Sequence, residues 1–277
     1  MRPVRPVRVA GAEVDVVVPA GSGPMAGVSM AGFRARAEGR VELQAVPHPA
    51  LTLLFDFGDV LLVDGAGGER KSGSVVVGLA SGSVRGSGRE VDLLQVRLSP
   101  VVAHTTLGAA FELGATVLGL EDLWGRRDTE RIEGQLRAAG SWNDRFGVVA
   151  AALAGRRAAG RAVDPEVAFV WGQMVTRRGR VRVERLADEV GWSRTRLWSR
   201  FRSQLGLTPK RAAMLIRFDH AAHRLAAGHS AARVAAESGF VDQSHLCRDV
   251  MALAGMTPAT VAVAPWLAVD DVAWPRR

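Results

Sequence analysis

One short segment carries the residue types that metal binding or nucleophilic catalysis would need. In "GFVDQSHLCRDV", residues 239–250, His245 and the chain's one cysteine, Cys247, stand between Asp242 and Asp249. On a helix, His245 and Cys247 point about 200° apart, so they cannot close one metal site or work as base and nucleophile. His245 and Asp249 share a helix face, but two ligands without a third do not make a zinc site. We therefore interpret the segment as a helix surface that contacts a partner.

The segment belongs to the second of two repeated units. "LADEVGWSRTRLWSRF", residues 186–201, matches "VAAESGFVDQSHLCRDV", residues 234–250, at an offset of 48 that becomes 49 after one inserted residue. Each unit has an apolar stripe, a glycine that ends it, a capping side chain and a second apolar stripe. This order is typical of a helix-turn-helix. The glycine and the capping residue are Gly191 and Ser193 in the first unit, and Gly239 and Asp242 in the second.

Two further helices are predicted around these units. A long helix joins them, from Thr208 as its cap to Gly228 as its stop, and its length of roughly 30 Å is close to the roughly 34 Å between major-groove faces one turn apart on a duplex. Asp164 and Pro165 are suited to cap and open a companion helix that closes at Gly179. The inward face of the joining helix is predicted to consist of Leu215, Phe218, Ala222 and Leu225.

The net charge of +8 is concentrated in the same part of the chain. Residues 1–160 hold 18 basic and 17 acidic side chains, whereas residues 161–277 hold 18 and 11. Between positions 177 and 217, twelve Arg or Lys residues stand against three acidic residues. This excess is typical of a protein that binds a polyanion, although a helical protein-interaction scaffold with a solvated basic face is an alternative.

Two stretches carry motifs of one regulator family. "RLADEVGWSRTRLWSRFRSQLGLTPKR" and "VAAESGFVDQSHLCRDVMALAGMTP" are similar to the two helix-turn-helix units of AraC-type (AraC/XylS family) transcriptional regulators, and residues 164–264 resemble their DNA-binding domain. The chain departs from the family pattern at Ser199, at Val250 and after Pro258. The resemblance implies that the second helix of each unit enters the major groove of double-stranded DNA. The side chains implicated are Thr195, Arg196, Trp198 and Ser199 in the first unit, and Gln243, Ser244, His245, Cys247 and Arg248 in the second.

Arg202 lies further along the first of these helices, on its outward side. We expect it to contact a phosphate, because the residues that contact base edges lie in the N-terminal part of a reading helix and Arg202 lies beyond its N-terminal half. The functional prediction is therefore a sequence-specific DNA-binding transcriptional regulator. By family resemblance, it would respond to a small-molecule effector through its N-terminal domain, form a homodimer, and contact RNA polymerase if it is an activator.

The N-terminal half reads as β-rich. Residues 1–100 contain alternating and β-branched runs between Gly, Pro and Asp, which predict an antiparallel barrel or sandwich. Residues from about 120 to 160 turn helical, with Ser141 as a cap and Gly160 as a stop. We predict an α+β fold. A β-rich, cupin-like barrel domain with linking helices spans residues 1–160, an all-α domain spans 161–265 with helix-turn-helix units at about 183–205 and 230–254, and a tail spans 266–277.

No catalytic motif stands in this half. His48 and His104 lie in different segments, and no H-x-H, H-E-x-x-H or paired acidic motif stands near them. The glycine-rich stretch "GDVLLVDGAGGERKSG" lacks the GKS or GKT of a phosphate-binding loop, and we interpret it as a hairpin. We predict no enzymatic activity, no catalytic residues, no metal and no cofactor. The alternative is a metal-dependent cupin-type enzyme with an accessory nucleic-acid-binding module.

Composition predicts the compartment. One cysteine excludes a disulfide framework, and Glu13 and Asp15 interrupt the apolar stretch that an export signal would need. No run of about 18 apolar residues is present, which predicts no membrane span. We expect a cytoplasmic protein without a membrane partner.

Overall fold

The structure, a computed structural model, describes residues 5–9, 12–20, 25–64, 70–79, 84–108 and 117–274. Within these ranges an antiparallel sheet comes first along the chain, and helices make up most of the remainder. This arrangement confirms the predicted α+β class, with a β-rich N-terminal part and an all-α C-terminal part. None of the described helices combines the length and the apolar character needed to cross a membrane.

Two long strands, Val28–Gln44 and Val84–Leu98, pair in the middle of the sheet. The described strands are β1 (Arg5–Val9), β2 (Ala12–Val17), β3 (Val28–Gln44), β4 (Leu51–Asp56), β5 (Leu61–Asp64), β6 (Arg70–Lys71), β7 (Val75–Val77), β8 (Val84–Leu98) and β9 (Val117–Gly119). Their order is β1-β2-β3-β8-β4-β7-β9. β5 lies outside this order and pairs with β8 and with β6. β5 and β6 pair as the expected hairpin, and the loop between them, residues 65–69, lies outside the described residues.

Four helices follow the main strands. They are α1 (Pro100–Leu107), α2 (Leu120–Trp124), α3 (Arg126–Ala138) and α4 (Trp142–Ala159). α4 lies where it was predicted, because Ser141 caps it by accepting a hydrogen bond from the Asp144 backbone N–H at 3.2 Å and Gly160 ends it. α1 was not predicted. Ser99 caps it and Pro100 occupies its first turn, a start signal that directly follows the strand residues of β8.

Eight helices make up the rest of the described chain. They are α5 (Pro165–Thr176), α6 (Val183–Glu189), α7 (Arg194–Leu205), α8 (Pro209–Ala226), α9 (Ala231–Glu237), α10 (Gln243–Ala254), α11 (Pro258–Ala262) and α12 (Pro265–Ala273). α8 is the predicted joining helix, and the four residues of its predicted inward face are all buried. α5, α7, α9, α10 and α11 all pack against α8.

The two repeated units fold alike. α7 begins after Ser193 and α10 after Asp242, and each of these side chains accepts a hydrogen bond from the backbone N–H three residues later, at 3.2 Å and 2.7 Å. Between the helices of each unit, the predicted turn glycines Gly191 and Gly239 have φ values of 68° and 79°. This left-handed region is readily accessible to glycine and disfavours side chains, so the glycine fixes the turn of each helix-turn-helix.

One predicted cap acts differently. Asp164 is the N-cap residue of α5, but its side chain makes no capping hydrogen bond. Its two carboxylate oxygens instead accept hydrogen bonds from Arg200 on α7, at 2.7 and 2.9 Å. A bidentate bond to a guanidinium is stronger than a bond to a backbone N–H, and it ties α5 to α7.

The two faces of the sheet pack against different helices. Along β8, Leu94 and Val96 belong to the main core, which also contains residues of α1 to α4 and of the C-terminal helices. Leu93 and Phe33 face the other way, and they pack with Val269 of α12. Residues 266–277 were expected to be a tail, and most of the described part of this segment is α12, a helix that covers the second face of the sheet.

Replacement of Ser193 by alanine tests the cap of α7. We expect the unfolding free energy to fall by about 1 kcal/mol, because one N-terminal N–H of the helix loses its acceptor. Ser193→Asp should keep most of the stability, since aspartate is an equally good cap. Ser199→Ala, on the exposed side of the same helix, should leave the urea midpoint unchanged. Equal losses in the Ser193→Ala and Ser199→Ala variants would argue against a capping role.

Candidate nucleic-acid interface and an apolar cavity

The exposed side of α7 carries all five residues predicted for the first unit. Leu197, Phe201 and Leu205 fix the helix by facing inward, where all three are buried. The period of the helix then turns the opposite side chains to the surface. Every predicted member is exposed, and the set consists of Thr195, Arg196, Trp198, Ser199 and Arg202.

Aromatic rings support two of the arginines on this surface. The Arg196 guanidinium lies 4.5 Å from the ring centre of Trp192, and that of Arg202 lies 5.2 Å from Trp198. Neither arginine forms an ion pair with a described carboxylate. Arg200, between them in sequence, differs because it is bound to Asp164, and this hydrogen bond lowers the pKa of the Asp164 carboxyl below its ordinary value. Arg196 and Arg202 therefore keep their charge available to an anionic partner.

Sequence reasoning missed three basic residues at the start of this helix and beside it. Arg182, Arg194 and Lys210 line a groove together with Thr195 and Trp198, where the first residues of α6, α7 and α8 come close. All three are exposed. The signal was present in the charge excess between positions 177 and 217, but only the fold shows which of those twelve cations share a surface with the first unit.

The exposed side of α10 carries three of the five residues predicted for the second unit. Gln243, Ser244 and Arg248 are exposed, while Leu246 and Val250 face inward and are buried. The Arg248 Nε donates a hydrogen bond of 3.4 Å to the Ser244 carbonyl oxygen, and the guanidinium has no ion pair with a described carboxylate. This side chain lies along the outer face of the helix.

The other two residues are half-buried. The His245 ring meets the Phe240 ring edge-on at 5.5 Å, and its Nδ1 accepts a 3.3 Å hydrogen bond from the Val241 backbone N–H. Its Nε2 lies 3.6 Å from Asp249, which is itself paired with Arg217 of α8 at 2.8 Å. Both ring nitrogens thus face groups of this chain, and His245 helps to fix α10 on α8.

Metal ligands are not grouped within the part of the chain that the structure describes. No cluster of three or more His, Cys, Asp or Glu residues occurs there in metal-binding geometry. His48 lies between β3 and β4 in a cavity wall, and His104 lies on α1, which packs against α7. The structure therefore does not bring these two histidines together.

An apolar cavity lies between the second face of the sheet and α12. Its volume is about 140 Å³. Strands β2, β3, β4, β5, β7 and β8 supply most of its wall, and α12 closes one side with Trp266 and Val269. The Trp266 ring packs on Phe33 with ring centres 5.9 Å apart. Exposed Arg89 lies among the lining residues at the Gly86–Arg89 stretch of β8.

Polar groups lie among the apolar lining. His48 Nε2 and Thr52 Oγ1 are 3.1 Å apart, within hydrogen-bonding distance. Burial lowers the pKa of His48 to about 3, and the Arg97 charge adds to this effect, so the imidazole is neutral at pH 7. Gln95 also lines the cavity and is buried.

A buried ion pair stands beside this cavity. Arg97 on β8 donates a 2.7 Å hydrogen bond from Nη2 to Oδ1 of Asp270 on α12, and its guanidinium lies 4.5 Å from the ring centre of Trp274. His223 of α8 approaches the second oxygen of Asp270 at 3.7 Å. Burial is the largest single influence and would raise the pKa of Asp270, but the Arg97 charge and the hydrogen bonds from His223 and Arg97 together outweigh it and hold the pKa below its ordinary value. The pair connects the sheet, α12 and α8.

Sequence reasoning did not find the cavity or the pair. Gln95 and Arg97 interrupt the apolar alternation of "EVDLLQVRL", and Pro265 is a helix-start signal before α12. These signals show a polar strand end and a helix. They do not show that residues 173 positions apart, Arg97 and Asp270, come together.

The comparisons with known proteins concern the second half of the chain and the fold. Residues 186–262 match the model of a helix-turn-helix domain family, and this stretch runs from within α6 to the end of α11. A search of curated proteins gave no match.

Solved structures that match this chain include two of ToxT from Vibrio cholerae. An apo single-residue variant of ToxT is 10% identical, with 88% of this chain and 99% of that chain covered at a TM-score of 0.50. Wild-type ToxT bound to an unsaturated fatty acid is 9% identical, with coverages of 87% and 96% and a TM-score of 0.46. The C-terminal domain of AraT, a response regulator from Geobacillus stearothermophilus, is 17% identical, with coverages of 36% and 85% and a TM-score of 0.34.

Proposed function

We propose that this chain, whose residues 186–262 match a helix-turn-helix domain family, is a sequence-specific DNA-binding transcriptional regulator of the AraC type that responds to a small-molecule effector. One observation carries the proposal. α7 and α10 are the second helices of two like-folded units, and their outward faces present Arg196 and Arg202 on α7 and Arg248 on α10, none of which has a described carboxylate partner. Such a face suits phosphates and base edges.

The proposed contacts divide into reading and positioning groups. Arg248, Gln243 and Ser244 are exposed in the first half of α10, where side chains can reach base edges in the major groove. Arg196, Thr195, Trp198 and Ser199 are the corresponding group on α7. Arg202 is the proposed phosphate contact. We propose that His245 and Cys247 contribute less to the DNA contacts, because both are half-buried and the His245 ring contacts Phe240.

The N-terminal part is proposed to hold the effector. The apolar cavity under α12 supports this assignment, because small-molecule sites are concave and mostly apolar with few polar groups. The proposed division places this function in residues 1–160, with α12 closing the cavity, and DNA binding in residues 161–265. The proposal also includes a homodimer and, if the protein is an activator, a contact with RNA polymerase. It includes no enzymatic step.

Selection of bound duplexes from random DNA by the full chain tests the function. We expect the selected duplex to bind roughly 1,000-fold or more tightly than a scrambled duplex of the same length, as specific regulators do. A footprint on the selected duplex should cover two major-groove segments on one face, about 34 Å apart. Equal affinity for the selected and the scrambled duplex would contradict the proposal.

Replacement of Arg202 by alanine should weaken binding without changing sequence preference. A phosphate contact is the same on every duplex, so the loss is expected to be similar on selected and scrambled DNA. The slope of log affinity against log salt should decrease by about one unit, because one fewer phosphate is neutralised. Affinity measured at several salt concentrations checks both points. A loss confined to the selected duplex would show that Arg202 reads a base.

A further inference from the structure

The cavity under α12 contains a buried oxygen that lacks a partner. Gln95 follows Val91 and Leu93 on the same face of β8, and all three residues line the cavity. Its Oε1 has no hydrogen-bond partner among the described residues. Because buried polar atoms in proteins are nearly always hydrogen-bonded to protein or water, this oxygen is an acceptor that a donor on a bound molecule can satisfy.

The polar groups beside Gln95 in the cavity wall already have partners. His48 and Thr52 face each other at hydrogen-bonding distance, and burial keeps the imidazole uncharged. Arg97, the next residue on this face of β8, is not a lining residue and forms an ion pair with Asp270, although its buried Nε has no described hydrogen-bond partner. The remaining cation of the described lining, Arg89, is exposed to solvent. An anion in the cavity would therefore lose its hydration without gaining a buried cation, which favours a neutral molecule.

The size of the cavity limits the molecule. An apolar protein cavity of about 150 Å³ takes up benzene, and the volume here is about 140 Å³. Phe33 and Trp266 give the wall two aromatic rings, which can pack on a third ring by edge or offset contacts.

We propose that the cavity binds a neutral, mostly apolar molecule of about one aromatic ring that carries one hydroxyl or N–H donor, and that Gln95 Oε1 accepts this donor. The inference rests on the proposed function in one respect, since the molecule is then the effector of the regulator. The binding site itself requires no DNA. Trp266 and Val269 close the site, so an occupant contacts α12 directly.

Four one-ring probes test the proposal on the DNA-free full chain by NMR or calorimetric titration. Phenol donates a hydrogen bond, anisole only accepts one, toluene does neither, and benzoate is charged at pH 7. Phenol is expected to bind about tenfold more tightly than anisole or toluene, because it alone satisfies a buried acceptor. Benzoate is expected to bind most weakly, because its charge has no buried partner.

Three variants locate the site. Gln95→Leu should remove the preference for phenol while toluene binding persists, and Gln135→Leu, the same exchange at an exposed position of α3, should change neither. Ala35→Leu adds volume to a lining position and should abolish binding of phenol and toluene together. If Gln95→Leu does not fold, Ala35→Leu and the order of the four probes still decide the matter.

Several outcomes would overturn the proposal. These are tightest binding of benzoate, equal binding of phenol and anisole, no binding of any probe, or an unchanged phenol preference in Gln95→Leu. The proposed function fails on a different result, which is the absence of a preferred duplex in the selection experiment. Binding of phenol without any preferred duplex would support the proposed binding site and contradict the proposed regulator.

Discussion

Replacement of Arg248 by alanine is expected to cost about 1–3 kcal/mol of binding free energy on the preferred duplex, the usual value of one bidentate arginine–guanine contact. The Arg248 side chain is exposed on α10, and its guanidinium has no described carboxylate partner. On a scrambled duplex the loss should be much smaller, because no guanine is read there. Titration of both duplexes with the wild-type chain and the variant gives the comparison.

Two arginine variants serve as controls for Arg248. Arg137→Ala removes an exposed arginine of α3, far along the chain from the helix-turn-helix units, and should leave both affinities unchanged. Arg202→Ala should weaken both duplexes alike. If Arg248→Ala also weakened both duplexes to the same extent, α10 would be a clamp on the DNA backbone and its assignment as a reading helix would be wrong.

The helix-turn-helix units could be predicted from the sequence because their signals are local. Ser193 and Asp242 cap helices a few residues away, and Gly191 and Gly239 set turns within their own units. Caps, glycine turns and apolar stripes act over one or two helical turns, and the chain repeats them. The same local pattern therefore predicts both helix-turn-helix units.

Contacts between distant segments could not be predicted in the same way. The role of Arg200 depends on Asp164, which lies on another helix, and this contact turned an expected cap into an ion pair. His245 was expected on the reading surface, but the positions of Phe240 and Asp249 decide how much of its ring is available. Partners of this kind become visible only when the helices have been packed together.

The cavity is the strongest example of such dependence. In the sequence Gln95 is one polar residue in a strand, and its place in a cavity depends on α12, which starts 170 positions later at Pro265. Single-sequence patterns predict that a strand face is partly polar, but they do not say which helix covers it. The predicted tail thus contributes Trp266 and Val269 to the wall of the proposed effector site.

Replacement of Asp270 by alanine should lower the unfolding free energy by about 3–5 kcal/mol at pH 7, since it leaves a buried guanidinium without its partner. The side chains of Arg97 and Asp270 are only 11% and 4% exposed, so water cannot compensate for the lost carboxylate. Asp271→Ala removes an exposed carboxylate from the same helix and is the matched control, with little expected change. A double variant, Arg97→Met with Asp270→Ala, should recover much of the stability, because an apolar pair replaces an unpaired charge.

The pH dependence gives a second test of the Arg97–Asp270 pair. The folded pKa of Asp270 lies below its unfolded value, so the pair contributes its full stability above the unfolded pKa of about 4. As the pH falls through the depressed folded pKa, the carboxylate takes up a proton and this contribution is lost. The gap between the wild-type chain and Asp270→Ala in urea unfolding should therefore be widest near pH 7 and should narrow below pH of about 4. A gap that stayed constant down to acid pH would show that Asp270 stabilises α12 by packing and not by its charge.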